Sequence, residues 1–399
     1  VRGEFSFSIV LFVLVLPLQA IPALTCLTGL AGLPVYARPE SSPPGEHPNA
    51  AKSVLAGAQN RVNILSAQPQ PSKDYTKILD ETIAAGKTAF LPASGSPYVV
   101  SDSLQFDVPG AGLAGEPGTV IAYTGKSTLF RIRAANITFK DITFNGSRLG
   151  YAGKSIAYSL APHFHWIGGG MRFGCPIFLQ KGSDDAVLEN LKCEFCSASA
   201  ITVQANNVSI SNCEFNNNVG FGIIASDGAT NFVFKGNHGN SNGLEIIAAS
   251  HGASDGQIIN NNLSGSGDNG ISVSGERIHV IGNVVKLSLG HGIAVYGDNN
   301  TIRDNQIIDN CQVDNPSAKP ILLFNNTNKN VYHCKSYAFG GKYFGIKVVA
   351  GSGGHGSHNI VVNNVVIDNQ EKPTQGGILV APGAEGNTIG PNKVGRHRE

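Results

Sequence analysis

Between residues 256 and 310 the apolar positions recur in one phrase: apolar, two variable residues, Asn, one variable residue, apolar. It reads Ile258/Asn261/Leu263, Val280/Asn283/Val285 and Ile302/Asn305/Ile307, an interval of 22 residues each time. A second phrase lies between the repeats, Gly270-Ile271-Ser272-Val273 and then Gly292-Ile293-Ala294-Val295. Self-similarity at such a period marks a solenoid, whose repeats bury their apolar faces only by stacking on one another.

Both phrases extend outward in step once Cys or Ile is allowed at the Asn position. Upstream the Asn phrase falls at Phe139/Ile142/Phe144, at Cys193 with Phe195, at Ile210/Cys213/Phe215 and at Phe234/Asn237. Downstream it falls at Val331/Cys334, Val361/Asn364/Val366 and Ile389/Asn392/Val394. The Gly-Ile phrase keeps pace at Pro176-Ile177, Ala200-Ile201, Gly222-Ile223, Gly243-Leu244, Pro320-Ile321, Gly345-Ile346 and Gly377-Ile378.

The flanks break this rhythm. Residues 1–37 carry a long apolar run from Ile9 to Val35 behind Arg2, ending in Val35-Tyr36-Ala37, and are expected to be a signal peptide; an uncleaved anchor is the alternative. Residues 38–73, rich in Pro, Ser and Ala, are expected to be a flexible linker, with the solenoid domain occupying 74–399. Helical spacing at Tyr75, Ile78, Leu79 and Ile83, followed by Gly86, predicts one short helix that caps the N-terminal end. Strands are expected at Thr88–Pro92, Tyr98–Val100 and Val120–Ala122.

Composition supports short strands and tight turns, with 49 Gly among 399 residues and only 14% charged residues. The net charge of +1 offers no basic stripe for nucleic acid. Cys193 and Cys213 occupy the Asn position of adjacent repeats in this reading, so a disulfide between them is compatible with export. Cys193 and Cys196 lack a second close Cys or His pair, so no metal site is expected. The sequence leaves the cofactor open; calcium is compatible with the chemistry but has no motif here.

The two phrases in step resemble the right-handed parallel β-helix of the pectate-lyase-like superfamily over residues 75 to 394. The resemblance implies an all-β, single-stranded right-handed parallel β-helix of about ten or more coils, each with three short strands. It also implies that Asn stacks at the bend between second and third strands, where it tolerates a left-handed backbone and its amide bonds to the next coil. The Gly-Ile phrase is then the first strand. In enzymes of that superfamily the substrate lies along the outer face of the first-strand sheet, walled by loops.

Strand alternation places the residue after each Ile outward: Phe178, Thr202, Ile224, Glu245, Ser272, Ala294, Leu322, Lys347 and Leu379. Glu245 stands out in that nearly neutral row. Asp227, His251 and Arg277 fall in neighbouring turns, so Glu245, Asp227, Arg277 and His251 are the candidate catalytic group. Paired carboxyls would serve hydrolysis, and a base such as Arg277 or His251 would serve β-elimination. A solvated strand face with ordinary charges is the alternative. Tyr296, His291 and Lys347 are candidate substrate contacts, while Asp268 and Lys319 lie in turns leading into first strands. The insertion between Phe144 and Pro176 carries His163, His165, Trp166 and Arg172, which would overhang the groove and stack on or bond to sugar.

Gly290-His291-Gly292 matches a polygalacturonase tripeptide, but the paired Asp at 184 and 185 lies over a hundred residues away, and epimerase and pectate-lyase signatures are absent. The expectation is an exported enzyme, secreted or periplasmic, that cleaves a polysaccharide or oligosaccharide by lyase or hydrolase chemistry and is not membrane-inserted after signal removal. A non-catalytic β-helix that binds glycan or scaffolds an envelope is the alternative.

Overall fold

The computed structural model describes residues 61–64, 73–146 except 126, 176–312 except 197, 198, 219 and 227, 322–324, 331–333, 343–350 and 356–397. The chain winds as a right-handed parallel β-solenoid of about 11 turns. Three sheets run along it. The first has ten strands, from Leu104–Phe106 to Gly376–Val380. The second has 12, from Arg61–Asn63 to Thr388–Ile389, and the third 11, from Tyr98–Val100 to Lys393–Val394.

The sequence phrases map onto this cross-section. Most strands are three residues long, and burial alternates within them. In the first sheet the outer two residues point inward, as with Ile271 and Val273, both fully buried. In the second and third sheets the middle residue does so, as with Ile258 and Leu263. One coil thus sends about four apolar side chains into a common core.

Between second and third strands the ladder forms as expected. Asn261 receives no main-chain partner at its N–H and donates it instead to Asn283 Oδ1 at 2.9 Å, while its Nδ2 donates to the same oxygen and to the Phe234 carbonyl. Asn237, Asn283, Asn305 and Asn364 repeat the arrangement, each amide satisfying a buried backbone group of its neighbour. The left-handed backbone, however, belongs to the preceding residue: Asn260 (φ 54), Gly282 (φ 66), Asp304 (φ 59) and Asn363 (φ 56). The ladder Asn is chosen for its amide; the residue before it is chosen for the turn. Two further ladders escaped the sequence pattern, one through Asn218 and Asn242 and one through Asn300, Asn359 and Asn387.

The helix spans Thr76–Ala84 and buries Leu79 and Ile83 against the first coils. It ends in a Schellman arrangement, with Gly86 N–H bonded to Ile83 O, Lys87 N–H to Thr82 O, and Gly86 at φ 70. Ahead of it Arg61–Asn63 pairs in parallel with Thr88–Phe90, so part of the expected linker is a strand.

Three register expectations are corrected. Ile247, not Leu244, pairs with Ile223 and Ile271, because this turn of the solenoid holds 24 residues between ladder Asn residues rather than 22. The expected first strand at Leu322 adds no rung to the first sheet: Ile293 pairs directly with Ile346, and Leu322–Phe324 pairs antiparallel with Val331–His333. Leu322 is therefore not in the outward row. Finally, Cys193 pairs with Phe215 inside the third sheet, whereas Cys213 occupies the ladder and is a buried thiol, so the two do not form a disulfide.

Candidate functional site

The register correction moves Glu245 off the outward row. Ala248 takes that place, and Glu245 lies two residues before Ile247, in the turn that delivers the chain to the first sheet. The same turn position in following coils holds Asn269 and His291, because Ile271 and Ile293 are in register with Ile247. Three consecutive turns thus line up Glu245, Asn269 and His291 along one edge of the first sheet.

Glu245 is only 6% exposed. Its Oε1 accepts a hydrogen bond from Asn269 Nδ2 at 3.4 Å, and its Oε2 is buried with no partner among the described residues. Burial first, and then the negative charge of Asp268, push its pKa up to about 8, against the smaller opposing effect of hydrogen bonds that include Asn269 and Ser272. At neutral pH the carboxyl therefore holds its proton. Beside it, Phe221, Leu244, Ala248 and Ile224 form an apolar cluster separate from the core. Asp268 approaches the next coil at Gly290, where a Cβ would stand 3.0 Å from its Oδ1, so glycine leaves the space for the carboxylate.

Tyr296 lies just beyond the strand Ile293–Val295. Its hydroxyl is held above the usual phenol pKa by burial, with the charges of Asp268 and Glu245 adding to the effect and a hydrogen bond with Asn269 opposing it. Asn269 is thus a hub: it touches Glu245, bonds to Tyr296 and accepts the His291 backbone N–H at 3.0 Å through Oδ1.

His291 is buried against the rings of Tyr343 and Phe344, with centroids 5.1 and 6.3 Å away. Its Nδ1 accepts the Phe344 N–H at 2.9 Å, which puts the ring proton on Nε2. Burial, with the charge of Lys347 adding to it, lowers its pKa to about 4, so the imidazole is neutral and its one N–H is at Nε2. Lys347 is where the sequence placed it, outward between inward Ile346 and Val348 and paired with Ala294 on one side and Leu379 on the other.

Of the candidate catalytic residues that the structure describes, Arg277 and His251 do not stand with Glu245. Arg277 and exposed His251 occupy turns after first-sheet strands, across the strand from the Glu245 turn. Arg277 adopts φ 54 and clasps Asp255 at 2.6 and 2.9 Å, with Glu276 at 3.2 Å, a solvated ion-pair cluster. Arg277, through its hydrogen bond, holds the Asp255 carboxyl below its usual range. Asp227, His163, His165, Trp166 and Arg172 lie outside the described residues. The insertion between Phe144 and Pro176 does leave the third sheet at Asn145 and re-enter the first at Ile177. Asn269 and Tyr343 were missed, although asking which residues stand two before each Gly-Ile strand would have found Asn269. Among the described residues no group of three or more His, Cys, Asp or Glu is arranged to hold a metal ion, and no helix is long and apolar enough to cross a membrane.

Solved structures with this architecture include ORF18 of Geobacillus virus E2, at TM-score 0.57 and 12% identity over 86% of this chain. The chain spans 62% of the length of that viral protein. The A-module of the mannuronan C-5 epimerase AlgE4 of Azotobacter vinelandii matches at TM-score 0.51 and 15% identity, over 84% of this chain and 97% of the module. The lidless DFA-IIIase of Arthrobacter chlorophenolicus A6 matches at 0.55 and 12% identity, over 85% and 99%. At these identities the likeness is one of fold. No curated protein matches the sequence. Residues 116–255 and 245–398 match the right-handed beta helix region family, and the chain belongs to that family.

Proposed function

We propose that the protein is a polysaccharide-cleaving enzyme that works by proton transfer along the edge of the first sheet, with Glu245 as the acid and Asp268 as its carboxylate partner. The observation that carries the reading is the Glu245 carboxyl, buried with an unpartnered Oε2 among the described residues and kept protonated first by that burial and then by the charge of Asp268. Two carboxyl groups whose environments push them to different protonation states are what glycoside hydrolysis requires. Glu245 passes its proton to the glycosidic oxygen as the bond to the anomeric carbon breaks. Asp268 supports the developing positive charge, either bonding to that carbon or taking a proton from the water that does. In the first case the water that then cleaves the bond to Asp268 gives its proton to Glu245; in the second Asp268 releases the proton it took to solvent, and Glu245 regains one from solvent.

Hydrolysis suits this site better than β-elimination, because a pair of acids opposes the negative charge that elimination builds on the substrate. Tyr296, a neutral donor, would bind a sugar hydroxyl beside the pair, and His291, also neutral, would contact the substrate further along the edge. The epimerase of the same fold, by its name an enzyme of mannuronan, supports a glycan as substrate. The reading includes export, supported by the apolar run at 9–35; fractionating cells that express the full chain tests that part. Incubation with neutral and acidic polysaccharides, following reducing ends and ultraviolet absorbance together, tests the chemistry. Hydrolysis gives new reducing ends without an absorbance rise. Absorbance growing in step with reducing ends would replace hydrolysis by elimination.

A further inference from the structure

The charges along the first-sheet face are separated by sign, and this says where a substrate carries its own charge. The edge formed by Glu245 and Asp268 is acidic. Two coils beyond Glu245 lies His291 and three coils beyond lies Lys347, a step of about 4.8 Å per coil and so roughly 10 to 14 Å along the groove. His291 and Lys347 both act as donors. His291 offers Nε2–H, since Nδ1 is occupied by the Phe344 N–H. Lys347 offers an ammonium that forms no ion pair among the described residues, on a half-buried side chain between Ala294 and Leu379. A half-buried ammonium in an aliphatic lane next to a fixed N–H donor is a site for an anion.

We infer that the groove binds an anionic heteroglycan, with an uncharged sugar at the Glu245–Asp268 pair and an acidic sugar or ester group at Lys347 and His291. This rests on the reading of Glu245 and Asp268 as the reacting pair. A uniform polyuronate is disfavoured, because it would set a carboxylate against Asp268 at the same time as it satisfied Lys347. A neutral glycan leaves Lys347 without a partner.

The test uses binding by the full chain carrying Glu245→Gln, which keeps size while removing the acid. Hyaluronan, chondroitin sulfate and gellan serve as anionic heteroglycans, polygalacturonate as the uniform polyanion and dextran as the neutral polymer. At least one heteroglycan is expected to bind tenfold or more tightly than both others, and a second change, Lys347→Met, should remove that preference while Lys347→Arg keeps most of it. Equal or tighter binding of polygalacturonate or dextran, failure of all three heteroglycans, or indifference to Lys347→Met overturns the inference. A second measurement does not depend on polymer identity: free glucuronate should shift the ring resonances of His291 in the wild-type chain but not in Lys347→Met, and glucose should shift them in neither. Absence of that difference also overturns it. Because both assays read binding, a protein that cleaves nothing yet shows the Lys347 dependence loses the enzymatic reading and keeps the anion site. One that hydrolyses dextran without regard to Lys347 does the reverse.

Discussion

Asn269 reaches back one coil to donate from Nδ2 to Glu245 Oε1 at 3.4 Å. That long bond, with a contribution from Ser272, does little to support a charge on a buried carboxyl whose Oε2 has no partner among the described residues. The group is thus neutral by default, and its ionisation acts against the fold.

Replacing Glu245 by Gln should lower hydrolysis by on the order of a hundredfold or more if the carboxyl is the general acid. In the wild type the activity should decline as pH rises through about 8, where the proton is lost. The stability effect runs the same way. The folded pKa lies above the ordinary value of 4.5, so between about 4.5 and 8 the folded state holds a proton that the unfolded state has released, and stability falls as pH rises. Melting curves at pH 5 and pH 8 should show Glu245→Gln gaining on the wild type at the higher pH, by on the order of a few kcal/mol at most. A constant gap would mean that Glu245 ionises normally.

Asn283→Leu should cost about 3 kcal/mol, because it strands the buried N–H of Asn261 and removes the bonds to Asn305 Oδ1 and the Ile258 carbonyl. The cost comes from the amide and not from backbone strain, since the left-handed residue is Gly282. Exposed Asn262, one residue past the ladder, is the control, and its change to Ala should move the melting temperature little.

Cys213→Asn should be neutral or stabilising by up to about 1 kcal/mol. The ladder partners already surround the thiol: Leu191 N–H lies 3.4 Å from Sγ, and the Leu188 carbonyl lies 3.8 Å away. The Cys213 N–H already bonds to Asn237 Oδ1. Burial pushes the thiol up to about 12, so it should not react with thiol reagents at neutral pH until the chain unfolds. A melting temperature lowered by several degrees would mean that the pocket rejects the amide.

His291 should remain neutral down to a pH of about 4 when its ring resonances are titrated. Unfolded His takes up its proton near 6.5, so in this window the unfolded state binds more protons, and His291 contributes stability that is gained as pH rises from about 4 to about 6.5. Lys347→Met should raise the titration midpoint, burial continuing to hold it below normal. A His291 midpoint near 6.5 would place the ring in solvent and remove it from the groove.

The fold was legible because a stacked repeat writes the same demand many times: an inward apolar residue per strand and an amide at Asn261, Asn283 and Asn305. The site was not, because it departs from the repeat. Two extra residues in the coil between Asn237 and Asn261 made Gly243-Leu244 resemble a first strand, which placed Glu245 outward by the wrong route. The grouping with Arg277 and His251 then followed from nearness in sequence, whereas the true neighbours, Asp268, Asn269 and Tyr296, are set by stacking across coils. Leu322 failed for a similar reason: periodicity carried the pattern through a segment that leaves the stack.

That segment has a wider consequence. Ile293 pairs with Ile346 and Asn305 donates to Asn364 as though nothing stood between them. The chain departs after the third-sheet strand ending at Ile308 and returns at Phe344, at the same corner of the cross-section where the 145–176 insertion leaves and returns. Both excursions therefore begin and end at the same corner of the cross-section, between a third-sheet strand and a first-sheet strand. The solenoid is thus tolerant of insertion length at that corner, because the coils on either side pair with each other and keep their register.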